Sequence, residues 1–253
     1  MPDDPWFYVL AVPAIFLIGI SKSGFGGGMG LLGVPLMALA VDPRMAAAIL
    51  LPILCLMDAF ALWAYRGLWH RRHLAILAAG AAVGILLGAL TFEYVSTAAM
   101  RLLVGVIALG FVANWLFRPA AAGAPDPEPR LLSGTFWGAM SGFTSFTAHA
   151  GGPPVAMYLL PRQLDKSLFQ GTTVVFFALV NLTKLVPYAW LGQFTPGVLW
   201  TALVLAPLVP PAIGVGLLLH RTVSQTIFYR LCYLLLTVVG SKLVWDGLDG
   251  LLF

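Results

Sequence analysis

Ser21-Lys22-Ser23-Gly24-Phe25-Gly26-Gly27-Gly28-Met29-Gly30 sits inside an apolar stretch, Trp6 to Val41, that carries no other charge. A helix that spans a bilayer takes about 20 apolar residues. The stretch is too long for one span and too short for two, so the glycines are expected to break it within the bilayer. Non-helical backbone at that depth survives only when it is buried in protein or lines a wet cavity. A buried solute site is therefore the leading idea.

Composition sets the class. Hydrophobic residues make up 60% of the 253-residue chain and charged residues 9%, and the mean hydropathy is +0.93. These values describe an integral membrane protein, with no separate soluble domain to assign. Further spans are expected at Ala46 to Tyr65, Leu74 to Thr91, Ala98 to Phe117, Ser167 to Trp190, Val198 to His220 and Tyr229 to Trp245. Their unbroken apolarity excludes transmembrane strands. Met1-Pro2-Asp3-Asp4-Pro5 lacks the basic start of a signal peptide, so the first apolar stretch is expected to be retained. Cys55 and Cys232 both fall inside spans and read as packing residues. The pI of about 9.3 does not point to nucleic acid, because the basic residues lie at span ends where topology explains them.

Residues 118–130, rich in Ala and Pro, read as a linker between two similar halves, about 6–117 and 131–248. Gly19, Gly33 and Pro35 match Gly138, Gly152 and Pro154 at one offset (138 − 19 = 152 − 33 = 154 − 35 = 119). Asp42, Asp58 and Tyr65 match Asp165, Asn181 and Tyr188 at another (165 − 42 = 181 − 58 = 188 − 65 = 123). Each half opens with a glycine-broken segment whose arms, some 13 to 15 residues, reach only about 20 Å at 1.5 Å per residue. Such a segment is expected to be a re-entrant hairpin. One hairpin plus three crossings per half is an odd number of crossings, so the second half would be inverted.

The basic residues support this topology. One side receives Arg66, Arg71, Arg72, Arg118, Arg130, Arg162, Lys166 and Arg221, and the other only Arg44, Arg101 and Lys242. The richer side is expected to be cytoplasmic, with both termini outside. Trp63, Trp69, Trp115, Trp190 and Trp245 near span ends suit an interfacial aromatic belt. The expected fold is thus an all-α polytopic membrane protein of two inverted repeats, each a glycine-rich re-entrant hairpin plus three transmembrane helices. Gly80, Gly84 and Gly88, spaced by four, read as a helix-packing face.

Inverted repeats with broken helices are a common transporter construction, because the broken ends offer unpaired backbone groups to a solute. Ser21, Lys22, Ser23, Gly24, Gly26 and Gly27 occupy one hairpin tip; Ser145, Thr147 and His149 occupy the other. Hydroxyls, freed N–H groups and a lysine all donate hydrogen bonds, which suits an oxyanion. Lys22 lies too deep to reach an interface. Asn181 adds a neutral hydrogen-bonding group, and Lys184 fits either anion binding or snorkelling. Asp58, a carboxylate well inside a span, either carries a proton or pairs with Lys22 or Lys184.

Gly19-x-x-Lys22-x-Gly24-x-Gly26-Gly27-Gly28 running to Pro35, the second glycine-proline segment Gly151 to Pro154, and the two-half layout resemble the TauE/SafE sulfite exporter family, also called the TSUP transporters. The resemblance covers nearly the whole chain. It implies export or uptake of small anions, often sulfur oxyanions or organosulfonates, in a bacterial inner membrane. A passive anion channel is the alternative. An intramembrane serine hydrolase using Ser141 or Ser145 with His149 is weaker, since no third group orients the histidine. No cofactor or metal is expected. The partners expected are the bilayer and a small anionic solute. The oligomeric state is open, a homodimer among the alternatives.

Overall fold

The computed structural model describes residues 4–24, 30–92, 94, 96–117, 128–162, 164–222 and 225–252. Among these there is no strand. The helices are α1 Pro5–Gly24, α2 Gly33–Met37, α3 Pro43–Ala64, α4 Arg71–Phe92, α5 Thr97–Phe117, α6 Leu131–Ala148, α7 Gly152–Leu159, α8 Lys166–Trp190, α9 Pro196–Leu205, α10 Val209–Thr222 and α11 Gln225–Leu252. Among the described residues, five segments are long and apolar enough to cross a membrane: Pro5–Ser23, Pro43–Ala64, Arg71–Phe92, Ser167–Trp190 and Pro196–Gly216. Exposure is inverted relative to a water-soluble protein. Leu86, Leu90, Leu182 and Val186 face outward, as do Trp63, Trp190 and Trp245, whereas Asp58, Asn181 and Lys184 are enclosed.

Local chemistry explains the helix boundaries. Asp42 and Asp165, the matched pair of the two halves, are both N-caps: the Asp42 carboxylate accepts from the Arg44 N–H at 2.8 Å and that of Asp165 from the Ser167 N–H at 2.9 Å. The span expected as one helix over Val198 to His220 is instead α9, a 3₁₀ turn Ala206–Leu208 and α10. Pro207, Pro210 and Pro211 cannot donate to the preceding turn, and their rings crowd its carbonyls, so the ladder tightens there.

The broken segments also differ from the equal short arms that the sequence suggests. The leading arms α1 and α6 have 20 and 18 residues, about 30 and 27 Å long at 1.5 Å per residue. The returning arms α2 and α7 have only 5 and 8. α7 folds back along α6, since a methyl at Gly134 would meet the Tyr158 ring at 2.8 Å.

Glycines set the helix neighbours and their directions. A methyl at Gly84 would sit 2.0 Å from the Ala139 carbonyl oxygen, and one at Gly138 2.3 Å from that of Leu77. Gly80, Gly84 and Gly88 of α4 thus interlock with Gly134, Gly138 and Gly142 of α6, the two helices running parallel. α10 runs parallel to α1 in the same way, Gly19 against Ala212 and Gly216 against Ile20 and Ser23. α5 and α11 run antiparallel: Gly250 meets Ala98, Gly247 meets Leu102 and Gly105 meets Val244. α3 and α8 pack together at the centre.

Candidate functional site

Two polar clusters lie between α3 and α8, each closed by the end of a leading arm. In the first, the Lys22 ammonium at the end of α1 forms an ion pair with Asp58 of α3 and lies 3.4 Å from the Leu54 carbonyl oxygen. The other Asp58 oxygen accepts from the Asn181 amide of α8 at 2.5 Å. Asp58 and Asn181 are the matched positions of the two halves, so the central helices touch at equivalent residues. The side chains of Lys22 and Asp58 are 12% and 5% exposed, which makes this a largely desolvated pair.

In the second cluster the Lys184 ammonium is wholly enclosed. Its three protons meet three neutral acceptors: the Ser145 carbonyl at 2.9 Å, the Ser145 hydroxyl at 3.0 Å and His149 Nδ1 at 2.7 Å. His149 Nε2 lies 2.9 Å from the Ala47 carbonyl oxygen, which can only accept. With the proton on Nε2, Nδ1 accepts from Lys184; Nδ1 also lies 3.1 Å from the Ser145 carbonyl oxygen, so that oxygen, His149 and Lys184 share one cluster. His149 has φ 51°, ψ 28° at the end of α6, the left-handed turn that glycine usually makes. Its ring is held at both nitrogens, and that doubly anchored geometry offsets the strain. Asn181 and Lys184 lie one helical turn apart, so the two clusters adjoin.

The structure gathers Lys22, Asp58 and Asn181 in one group and Ser145, His149 and Lys184 in the other. It does not gather all the residues expected at the tips. The hydroxyls of Ser23 and Thr147 donate back to their own helices, to Gly19 at 2.8 Å and Phe143 at 3.1 Å. Ser21 is enclosed near the end of α1, and Gly24 is its last residue. Gly26 and Gly27 lie outside the described residues. The tips are linked through α3 and α8: the Gln170 amide of α8 donates to the Lys22 carbonyl at 3.0 Å, and His149 reaches Ala47 at the start of α3. Sequence reasoning missed Gln170 and Thr173, which with Lys22, Asp58 and Phe177 line a cavity of about 10 Å³. A glutamine in a span was the available signal. Lys184 is not snorkelling, since no part of it reaches the surface.

Other polar residues are structural. Ser141 donates to the Gly151 carbonyl at 2.8 Å and Thr144 to that of Ala150 at 3.1 Å, which closes the turn between α6 and α7. The Ser141 hydroxyl is thus committed to the Gly151 carbonyl. His73 is fully enclosed with Nδ1 3.0 Å from the Tyr158 hydroxyl.

The family model "Sulfite exporter TauE/SafE" matches residues 11–243. The "Probable sulfite/organosulfonate exporter TauE" of Cupriavidus necator H16 is 24% identical over 233 residues, 90% of this chain and 89% of that protein. No solved structure matches.

Proposed function

The chain belongs to the TauE/SafE sulfite exporter family and is a membrane transporter rather than an enzyme; from that premise we propose that it carries a small sulfur oxyanion or organosulfonate by alternating access. The single observation that carries the reading is Lys184, a fully enclosed ammonium whose hydrogen-bond partners among the described residues are all neutral. Such a charge is costly in a membrane interior unless something negative visits it. A small anion supplies that charge.

Lys22 and Asp58 add a coupling element. With Asp58 ionised, Lys22 is neutralised from within and an incoming anion must compete with a fixed carboxylate. A proton on Asp58 releases Lys22, so proton and anion bind together. The site charge is then the same empty as loaded: one carboxylate is exchanged for one solute anion. Constant charge lets both states cross a low-dielectric barrier at similar cost. The groups bonded to Asp58 are Lys22 from α1 and Asn181 from α8, while Cys55 precedes it by about one turn on α3.

An inverted repeat is favoured by the helix directions. Under the offsets above α5 corresponds to α11, and the two are antiparallel, as equivalent helices must be when the symmetry axis lies across them. α4 on α6 is mirrored by α10 on α1. Alternating access then follows from rocking one set of helices against the other. We place the protein in the bacterial inner membrane with both termini outside. A cysteine at Leu68 should then be shielded from an impermeant reagent in intact cells and one at Gln193 should react. The opposite pattern would remove this topology. A passive channel fits less well, because the cavity beside Lys22 has room for about one water and no more.

Purified protein in vesicles tests the function. Counterflow of a labelled sulfonate or of sulfite should saturate, and unlabelled anion should compete. Flux that rises without limit and carries current would identify a pore instead.

A further inference from the structure

Arg44 is the second residue of α3, fourteen residues before Asp58 (58 − 44), about 21 Å along the helix at 1.5 Å per residue. Its Nε and Nη2 are enclosed, and neither has a hydrogen-bond partner among the described residues. Arg101 of α5 has an enclosed, unpartnered Nε as well. The nearby carboxylate is committed elsewhere: Asp42 takes the Arg44 backbone N–H on one oxygen and the Thr97 hydroxyl, at 2.6 Å, on the other. That second bond ties the start of α5 to the start of α3 and brings Arg101, one turn beyond Thr97, to the same end. Guanidinium N–H groups shut away from water without acceptors are costly, and a planar fork of them matches an oxyanion.

A line of aromatic rings joins this end to the second cluster. The Arg44 guanidinium lies 5.3 Å from the centre of the Phe92 ring. Phe92 stands edge-on to Phe146 at 5.4 Å and tilted to Tyr188 at 5.9 Å. The Tyr188 hydroxyl donates to the Phe146 carbonyl at 2.7 Å, and its ring lies nearly parallel to His149 at 6.5 Å. His149 in turn holds Lys184.

We propose that Arg44, with Arg101 at the same end of the molecule, is a second oxyanion site on the transport path, and that Phe92, Phe146 and Tyr188 are the gate between it and Lys184. The inference rests on the carrier reading above. A solute sulfonate and a lipid phosphate share the chemistry that would fill the fork, so the test separates them.

Calorimetry with a small alkanesulfonate on the purified full chain is the first arm. Lys184→Met should lose the tighter site and keep a weak one, and adding Arg44→Gln should remove the weak one. No residual binding in Lys184→Met overturns the Arg44 site. In phosphatidylcholine vesicles, Arg44→Gln should raise the half-saturating sulfonate concentration at that face at least fivefold, with Arg44→Lys in between and the melting temperature of each variant confirming a folded chain. Unchanged half-saturation overturns the path role. So does loss of a retained phosphatidylglycerol in native mass spectra without a change in half-saturation, which assigns the fork to lipid. Glu93 follows Phe92 in the sequence, so Glu93→Gln controls for an internal partner: the same change as in Arg44→Gln overturns the proposal. If the wild-type chain binds at Arg44 but shows no counterflow, the carrier reading fails and the Arg44 site stands.

Discussion

The two proposed halves share matched helix caps and differ in charge. Asp42 and Asp165 cap matching helices, and Asp58 touches its own counterpart Asn181. Yet the residue matching Lys22 is Ser141 (22 + 119), and the residue matching Lys184 is Ala61 (184 − 123). One lysine is neutralised by a carboxylate, and the other is held only by a serine and a histidine. Under the proposed repeat, the helix frame is kept while each copy changes its polar residues, and the charge left over tells which copy is the better place for an anion.

The ion pair gives the largest effect. Removing either partner strands a buried charge, so Lys22→Met or Asp58→Leu should each cost about 3 to 5 kcal/mol of stability. The double variant should recover most of it. Denaturant titration in detergent checks this, and a double variant as unstable as the two singles added together would show the pair is uncoupled. Next comes the frame. Gly84→Ala places a methyl 2.0 Å from a backbone oxygen, which backbone cannot easily yield, and should cost up to about 3 kcal/mol. Gly214→Ala, with open space around it, should be neutral or gain up to about 1 kcal/mol. Equal losses at both sites would break the account of the α4 and α6 interface.

The contrast sharpens at Lys184. Lys184→Met strands no carboxylate, and the acceptors it leaves unpaired are offset by removing a buried charge. Stability should move by less than about 2 kcal/mol, whereas sulfonate affinity should fall at least tenfold, about 1.4 kcal/mol. Calorimetry beside a melting curve separates the two. A collapse of stability with affinity intact would make Lys184 a packing residue.

The frame was legible because membrane helices announce themselves by length and apolarity, and because glycines at four-residue spacing can do little else on a lipid-buried face. Lys22 and Asp58 stood out as charges in spans. Their pairing did not, since Lys184 was an equally good partner on paper and only the approach of α1 to α3 decides it. The arm lengths were misjudged because α1 continues through Ser21 to Gly24, with the Ser23 hydroxyl satisfied within the helix by the Gly19 carbonyl rather than freed for a solute. The break in the span after Pro196 was visible as Pro207, Pro210 and Pro211 but was outweighed by hydropathy. Gln170 was missed because a single amide carries no charge signal.

The most direct test of the account is the affinity for a small alkanesulfonate, which stays ionised throughout, measured against pH in the wild-type chain and in Asp58→Asn. Proton and anion binding must strengthen each other reciprocally if the proton on Asp58 is what releases Lys22. The wild-type affinity should therefore rise as pH falls, and Asp58→Asn should bind tightly with little dependence on pH. A wild-type affinity that does not change with pH, or an Asp58→Asn chain that keeps the wild-type pH dependence, would contradict the account.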